Sequence, residues 1–157
     1  MHMDLVSEPS AHADSIGDTW SRAVAAVAAV ESGLSKWMQS TYGIGMTEFR
    51  AAMLLSRTPK RELRINDLAT RVGLNQSSCT RLVGRMEDKG LAFRDTCPDD
   101  GRGVYAVITD AGLETVDRIR EAYSSKAHEL LIAADGPQPG GEDVDIRRIL
   151  TALIDSI

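Results

Sequence analysis

The sequence predicts a mainly α-helical protein with one small two-stranded β-sheet, folded as a single domain. Apolar residues recur at helical spacing in several long stretches of the chain. Two short β-prone segments, residues 91–97 and 103–108, flank the strong turn sequence of residues 98–101. A length of 157 residues is enough for one ordinary core and short for two domains.

The chain begins with a polar segment, residues 1–12, that we expect to be flexible. A long helix is predicted next, because apolar residues recur at three- and four-residue spacing within an alanine-rich run. These residues are Trp20, Val24, Val27, Leu34 and Met38. Gly43 and Gly45 are expected to end this helix.

A second helix is predicted to begin at Thr47, whose hydroxyl can cap it, and Glu48 suits its positive end. Pro59 is expected to stop this helix. Its apolar stripe comprises Phe49, Ala52 and Met53. A basic loop is then expected, containing Lys60, Arg61 and Arg64.

Two helices joined by a tight turn are predicted between residues 65 and 90. The first ends at Gly73, and Asn75 is a good N-cap for the second, which Gly90 ends. One face of the second helix has the spacing of a buried stripe and comprises Cys79, Leu82, Val83 and Met86. The opposite face is polar and comprises Ser77, Arg81, Gly84 and Asp88, with Ser78, Thr80 and Arg85 beside it. Short hydrogen-bonding groups followed by guanidinium groups suit a groove of duplex DNA.

Thr109 is predicted to cap a long helix that extends to about Ala133. After a connector rich in glycine and proline, a last helix with one apolar face is predicted. This face comprises Ile146, Ile149, Leu150, Leu153, Ile154 and Ile157. It is too apolar to remain in water, so we expect it and the stripe of the first helix to pack against a second copy of the chain.

The charge of the chain is distributed unevenly along its length. The net charge is −5, but residues 57–102 contain ten basic and seven acidic residues and are therefore +3. The remaining residues carry −8. An acidic body with a basic segment is compatible with binding to nucleic acid, because neutralising phosphates requires positive potential only locally.

The composition argues against several other classes of protein. Cys79 and Cys97 lack metal-ligand spacing and the histidines are scattered, so no metal site, cofactor or disulfide framework is expected. There is no apolar run of about 18 residues, and the acidic start lacks the basic flank of a signal peptide. We therefore expect a cytoplasmic protein that is neither exported nor membrane-spanning. A thiol enzyme is disfavoured, since the sequence places no histidine or acid beside either cysteine, and no catalytic activity is expected.

The order short helix, glycine turn, longer helix and hairpin predicts a winged helix-turn-helix. Such a motif places one helix in a major groove and a basic tip in the neighbouring minor groove. The chain resembles the MarR family of bacterial transcriptional regulators over roughly residues 15–157. The motifs that together carry the resemblance are residues 68–73 with 77–91, Arg94 in the first wing strand, and Asp100 and Arg102 followed by residues 107–112.

The resemblance implies a homodimer that binds a pseudo-palindromic operator in double-stranded DNA. Regulators of this family are usually repressors that a small effector or thiol oxidation releases from DNA. Residues 13–157 would form one domain. Within it, residues 13–45 and 110–157 would supply the dimerisation helices, and residues 46–109 would form the DNA-binding lobe.

The resemblance also implies DNA-binding roles for individual residues. It assigns to the major-groove helix Gln76, Ser77, Ser78, Thr80, Arg81 and Arg85. Arg102 would enter the minor groove, oriented by Asp100. Gly101 stands where the family often has a second arginine, which leaves Arg102 as the one strong candidate of the wing tip.

Each of these arginines also has a structural alternative. Arg81 and Arg85 could form ordinary ion pairs on a solvated helix face, for example between Arg81 and Glu87. Arg94 could contact a phosphate, or it could brace the wing through a salt bridge. The sequence leaves both alternatives open.

An effector pocket is implied between the dimerisation helices and the DNA-binding lobe. The candidate side chains are Trp20, Trp37, Met38, Tyr42 and Phe49, and the tryptophans and the tyrosine suit a planar phenolic ligand. The alternative is that most of them belong to the core. Glu31 interrupts the apolar face of the first helix and is either a polar group of this pocket or exposed.

Two other functions stay open. Cys97 lies at the bend of the wing beside basic residues and could act as an oxidation-sensitive thiol, whereas Cys79 is expected to be buried and unreactive. A winged helix can also serve as a protein-interaction module whose charged helix meets an acidic partner. Such a module would bind DNA without sequence preference.

Overall fold

The computed structural model describes residues 15–96, 103–134, 151–152 and 155. The helices within these residues are α1 (Ile16–Tyr42), α2 (Met46–Ser56), α3 (Ile65–Val72), α4 (Gln76–Asp88) and α5 (Asp110–Ala134). The strands are β1 (Glu62–Arg64), β2 (Ala92–Thr96) and β3 (Val104–Ile108). The predicted mainly α fold with a small β-wing is confirmed. The predicted flexible segment 1–12, the turn of the wing and the apolar face of the last helix lie outside the described residues.

Helix α1 is bounded by strong local signals at both ends. Ser15 is its N-cap, and the side chain of Asp18 completes a reciprocal capping box with it. At the other end Gly43 adopts a left-handed conformation, with φ of +68°, and its N–H donates to the carbonyl of Gln39 at 3.0 Å. The prediction that Gly43 ends this helix is confirmed.

Helix α2 begins earlier than the sequence indicated. Its N-cap is Gly45, and the prediction that Thr47 caps it is wrong, because Thr47 lies inside the first turn. The Glu48 carboxylate accepts the N–H of Gly45 at 2.8 Å, which satisfies a donor at the start of the helix. The side-chain acceptor at this end is therefore Glu48, and the N-cap residue Gly45 has no side chain that could cap the helix.

The sheet contains three strands in the order β1-β3-β2, all antiparallel. The third strand was not predicted, since residues 60–64 were expected to form a loop. Strand β1 forms because β3 offers its second edge, with Leu63 opposite Ala106. The N–H of Ile108 also donates to the carbonyl of Arg61 at 3.0 Å. This pairing joins segments that are far apart in the sequence, so no local pattern indicates it.

The helices and the sheet share one hydrophobic core. The predicted stripe of α4 is confirmed, because all four of its members are fully buried: Cys79, Leu82, Val83 and Met86. Phe49 and Leu55 of α2 and Ile119 of α5 are also fully buried. The core therefore lies directly behind α4 and holds it with its polar face outward.

The N-terminal half of α1 extends beyond this core. Its apolar side chains remain largely exposed, with Trp20 64%, Val24 48% and Val27 51% accessible in the single chain. Further along the same helix, Leu34 and Met38 are buried. The apolar stripe of α1 is thus covered only in its second half. Among the described helices, none is both long enough and apolar enough to cross a lipid bilayer.

Candidate nucleic-acid interface

The turn between α3 and α4 is defined by backbone and side-chain hydrogen bonds. Gly73 adopts the left-handed conformation that ends α3, with φ of +72°. Asn75 then caps α4 by accepting the N–H of Ser78 at 2.8 Å, as predicted, and it also accepts the Ser77 hydroxyl at 2.9 Å. Both helices are thereby held as a helix-turn-helix with a defined start for α4.

The outward face of α4 is polar along its first two turns. Gln76, Ser77, Thr80 and Arg81 are exposed, and Ser78 is half-buried. The Thr80 hydroxyl donates to the carbonyl of Gln76 at 3.0 Å within the helix. Arg81 approaches the Ser78 hydroxyl at 3.4 Å and has no carboxylate within 4.0 Å among the described residues. Its guanidinium group is therefore available to an anionic partner.

Arg85, one turn further along, forms an ion pair that the sequence did not predict. Its Nε lies 3.3 Å from Oε1 of Glu48, at the start of α2. Lys89 Nζ lies 2.6 Å from the second oxygen of the same carboxylate and 3.0 Å from the carbonyl of Gly43. Glu48 itself is only 4% exposed. One buried carboxylate thus connects the C-terminal part of α4 to the junction between α1 and α2.

Glu48 is ionised in this setting. Burial is the largest single influence and raises the pKa of its carboxyl group. The hydrogen bonds from Lys89, the Gly45 N–H and Arg85, with the charge of Lys89, outweigh burial and lower the pKa below its ordinary value. The sequence marked Glu48 only as an acid suited to a helix N-terminus, and no local pattern links it to residues in α4.

Arg94 braces the wing against α4. Its backbone N–H and its Nε donate to the Glu87 carboxylate at 2.7 and 2.8 Å, and its Nη2 does so at 2.5 Å. These hydrogen bonds lower the pKa of Glu87 and raise that of Arg94. The bracing alternative for Arg94 is therefore present in the structure, and Glu87 is engaged by Arg94 rather than by Arg81. A phosphate contact by Arg94 stays a prediction.

The base of the wing carries further positive charge. The guanidinium carbon of Arg64 lies 5.3 Å from the ring centroid of Tyr105 in β3. Beside them a groove of about 570 Å³ is lined by the basic residues Arg57, Lys60, Arg64 and Arg71 and by the acids Glu62 and Asp67. Four residues of the basic segment predicted from the sequence thus lie together beside α3 and the wing. Asp100, Arg102 and Cys97 lie outside the described residues.

Comparison with known proteins agrees with this arrangement. A model of the MarR family matches residues 42–103, which span α2, the helix-turn-helix and the first strand of the wing. An uncharacterized HTH-type transcriptional regulator of Bacillus subtilis (strain 168), YkoM, is 31% identical over 103 residues, 65% of this chain. This part of the chain is similar to members of the MarR family. The aligned part spans 63% of the length of YkoM, less than two thirds of it.

Solved structures of MarR family regulators show the same fold. The regulator Sco3205 of Streptomyces coelicolor, solved in complex with DNA, has a TM-score of 0.75 at 23% identity. The match covers 96% of this chain and 89% of that one. The regulator AbsC of the same organism has a TM-score of 0.72 at 25% identity, and the match covers 90% of each chain. The likeness therefore extends beyond the helix-turn-helix to the helices around it.

The five candidate effector residues do not all lie together, because one of them is far from the other four. Met38 and Phe49 are buried in the core, as the alternative interpretation expected. Trp37 and Tyr42 are half-buried and pack edge to face, with ring centroids 5.4 Å apart. Trp20 lies on the exposed half of α1, roughly 25 Å from Trp37 along the helix. A ligand site formed by these residues stays a prediction.

The surroundings of Glu31 and Cys79 test the interpretations made from the sequence. Glu31 is half-buried and forms an ion pair with Arg50 of α2, so it is neither fully exposed nor unpaired. Burial lowers the pKa of Arg50, but Glu31 and then Tyr123 of α5 raise it, and the net shift is upward. Cys79 is fully buried, and burial raises the pKa of its thiol, which disfavours a reactive thiolate.

Proposed function

We propose that the protein is a sequence-specific DNA-binding transcriptional regulator that acts as a homodimer on an inverted-repeat operator, and that it acts without catalysis. The observation that carries this proposal is the outward polar face of α4. The core is packed behind this face, Asn75 fixes its start, and Arg81 has no described carboxylate partner. A helix with these features, next to a wing that is fixed against it, is suited to bind in the major groove of DNA.

The proposed base and phosphate contacts follow from positions along α4. Residues at its N-terminal end would reach base edges, since hydroxyl, amide and guanidinium groups pair with the major-groove pattern. These residues are Gln76, Ser77, Ser78, Thr80 and Arg81. Arg85 would approach the same groove further along the helix. Arg102, oriented by Asp100, is proposed for the minor groove, and Arg94 for a phosphate next to the wing.

The homodimer is supported by the uncovered half of α1. Trp20, Val24 and Val27 form an apolar strip whose continuation packs in the core, so a second copy would complete its burial. Residues 13–45 and 110–157 are proposed as the dimerisation region and residues 46–109 as the DNA-binding lobe. A two-fold axis would place the two copies of α4 one DNA turn apart, roughly 34 to 36 Å.

Repression with release by a small aromatic or phenolic effector is the regulatory mode that we propose. Similarity to the MarR family favours an effector pocket near the junction of α1, α2 and α5, and half-buried Trp37 and Tyr42 pack against the core there. Oxidation of Cys97 is the competing mode.

Selection of bound DNA from a random pool tests the proposed function. The full chain is expected to enrich an inverted repeat and to bind it roughly a thousandfold or more tightly than random DNA at the same salt concentration. The measurement is a titration of selected and scrambled duplexes across several salt concentrations. Equal affinity for both duplexes would contradict the proposal and favour a protein-interaction module.

A further inference from the structure

We propose that Glu48 is a positioning residue for DNA recognition: it holds Arg85 by one nitrogen so that the terminal nitrogens of the guanidinium group face the DNA. This inference rests on the proposed function and adds to it a residue outside the helix-turn-helix. Glu48 lies in α2 and is 37 positions away from Arg85 in the sequence. Only the folded chain therefore brings Glu48 and Arg85 into contact.

The contact has the geometry of an orienting interaction. The hydrogen bond to Glu48 Oε1 involves Nε of Arg85, at 3.3 Å. The side chain of Arg85 is nevertheless 55% exposed, whereas that of Glu48 is 5% exposed. The bond therefore occupies the inner edge of the guanidinium group. Its two terminal nitrogens are left for a base edge or a phosphate.

The Glu48 carboxylate is itself fixed by hydrogen bonds from two other groups. Lys89 Nζ donates to Glu48 Oε2 at 2.6 Å, and the Gly45 N–H donates to the same oxygen at 2.8 Å. Lys89 also donates to the carbonyl of Gly43 at 3.0 Å, so it is fixed by the end of α1. Glu48 cannot follow Arg85 if that side chain moves. The carboxylate is therefore a fixed point against which the arginine is oriented.

The charges of this cluster remain suited to DNA. Arg85 and Lys89 carry two positive charges and Glu48 carries one negative charge, so the cluster is +1 in total. A free arginine on a helix surface loses rotamer freedom when it binds, and an arginine held beforehand loses less. Glu48 would therefore increase affinity for DNA although its own charge repels phosphates. The effect of Glu48 on DNA affinity through Arg85 is therefore opposite in sign to the effect of its own charge.

The first experiment is a double-mutant cycle on the selected operator, with the full chain. Glu48→Gln keeps the shape of the side chain and removes its charge. Loss of a negative charge would by electrostatics alone raise affinity for DNA. We expect the reverse, a weakening of about tenfold. The single oxygen of glutamine is expected to accept from Lys89 and the Gly45 N–H, which leaves an NH2 group facing Arg85 that cannot accept its Nε–H. In an Arg85→Ala background, Glu48→Gln should not weaken binding, since the guanidinium group that Glu48 orients is absent.

Arg81 supplies the matched control for this cycle. It lies one turn before Arg85 on the same helix and contacts no carboxylate among the described residues. Glu48→Gln and Arg81→Ala should therefore have additive effects on binding. Coupling of Glu48 to Arg81 as strong as to Arg85 would indicate a general disturbance of α4 and would overturn the inference. Higher affinity of Glu48→Gln for the operator would overturn it as well.

A second measurement uses the unmodified protein and needs no variant to fold. Side-chain nitrogen NMR reports the exchange and the order of each arginine Nε–H group. In the protein without DNA, the Nε–H of Arg85 should be ordered and should exchange slowly, whereas that of Arg81 should be mobile. Equal mobility of the two groups would overturn the inference.

The failure of this inference is distinguishable from failure of the proposed function. A wild-type chain that shows no preference for any selected DNA would overturn both. A wild-type chain that binds its operator specifically, while Glu48→Gln and Arg85→Ala have additive effects, would overturn only the role of Glu48.

Discussion

The Glu87 carboxylate in α4 accepts three hydrogen bonds from Arg94 in β2, one from the backbone N–H and two from the guanidinium group. Arg94 also passes above Gly84, where an added Cβ would lie 3.8 Å from Nη2. The wing and the outward-facing helix are thus joined through Arg94 and Glu87. Arg94 and Glu87 therefore help the core to set the angle between the wing and α4.

This pair predicts how the wing contributes to binding. The proposed minor-groove contact of the wing predicts a preference for A·T-rich flanks, whose narrow minor groove attracts arginine. Glu87→Ala should reduce this preference while the central half-site preference stays, because only the wing loses its brace. Arg102→Ala should produce the same loss directly, since it removes the proposed minor-groove side chain. The measurement is affinity for duplexes that differ only in their flanks. Unchanged flank preference in both variants would show that the wing does not read the groove.

Arg81 is the residue of α4 for which we expect the clearest loss of sequence preference. Arg81→Ala should weaken operator binding by about 1 to 3 kcal/mol and relax the preference at one position, if it contacts a base edge. Arg118→Ala is the control for loss of a positive charge, because Arg118 is also exposed but lies on α5, and sedimentation should confirm that this variant remains a dimer. Both affinity and base preference should be measured at one salt concentration. Operator binding at wild-type strength by a folded Arg81→Ala protein would refute the assignment.

The exposed strip of α1 predicts that dimerisation and tight binding are lost together. Val27→Glu places a charge in this strip and should yield a monomer whose operator affinity falls roughly a hundredfold or more, since each half-site adds its own contacts. The control is Ala29→Glu, about 200° further around the helix. Sedimentation and operator titration are the measurements. A monomeric Val27→Glu protein with full operator affinity would argue against the dimer and the inverted repeat.

The lowered pKa of Glu48 predicts that the free energy of unfolding depends on pH in the acidic range. Its folded pKa lies below the ordinary value of 4.5, so its ionised form stabilises the fold above that pH. This contribution is lost as the pH falls through the folded pKa. Between about pH 5 and pH 3 the free energy of unfolding should therefore fall more steeply for the wild type than for Glu48→Gln. Urea unfolding at each pH measures this, and parallel curves would contradict the prediction.

Release of DNA is expected to depend on a ligand rather than on a thiol. Cys97→Ser should keep the response of the wild type to a panel of substituted phenols, because release by a ligand requires no thiol. Cys79 is not expected to act as a reactive thiol, since it is fully buried and burial raises its pKa. The measurement is operator occupancy with each phenol and, separately, with peroxide. If peroxide releases the wild type but not Cys97→Ser, and no phenol releases either, the oxidation mechanism is favoured.

Local signals in the sequence were sufficient for most of the secondary structure. Gly43, Gly73 and Gly90 all adopt the left-handed conformation that ends a helix, and Asn75 caps α4 as predicted. The buried stripe of α4 followed from its spacing alone. These features depend on residues within a few positions of one another, so a single sequence contains the whole interaction. The outward face of α4 was predictable for the same reason.

What only the tertiary structure decided are the contacts between distant segments. Strand β1 exists because β3 pairs with it, and Glu48 meets Arg85 and Lys89 because α2 and α4 pack on one core. The sequence by itself determined which side chains face outward. It did not determine which of them are free and which are held, because a hydrogen bond between remote positions leaves no periodicity in the chain and depends on the packing that brings them together.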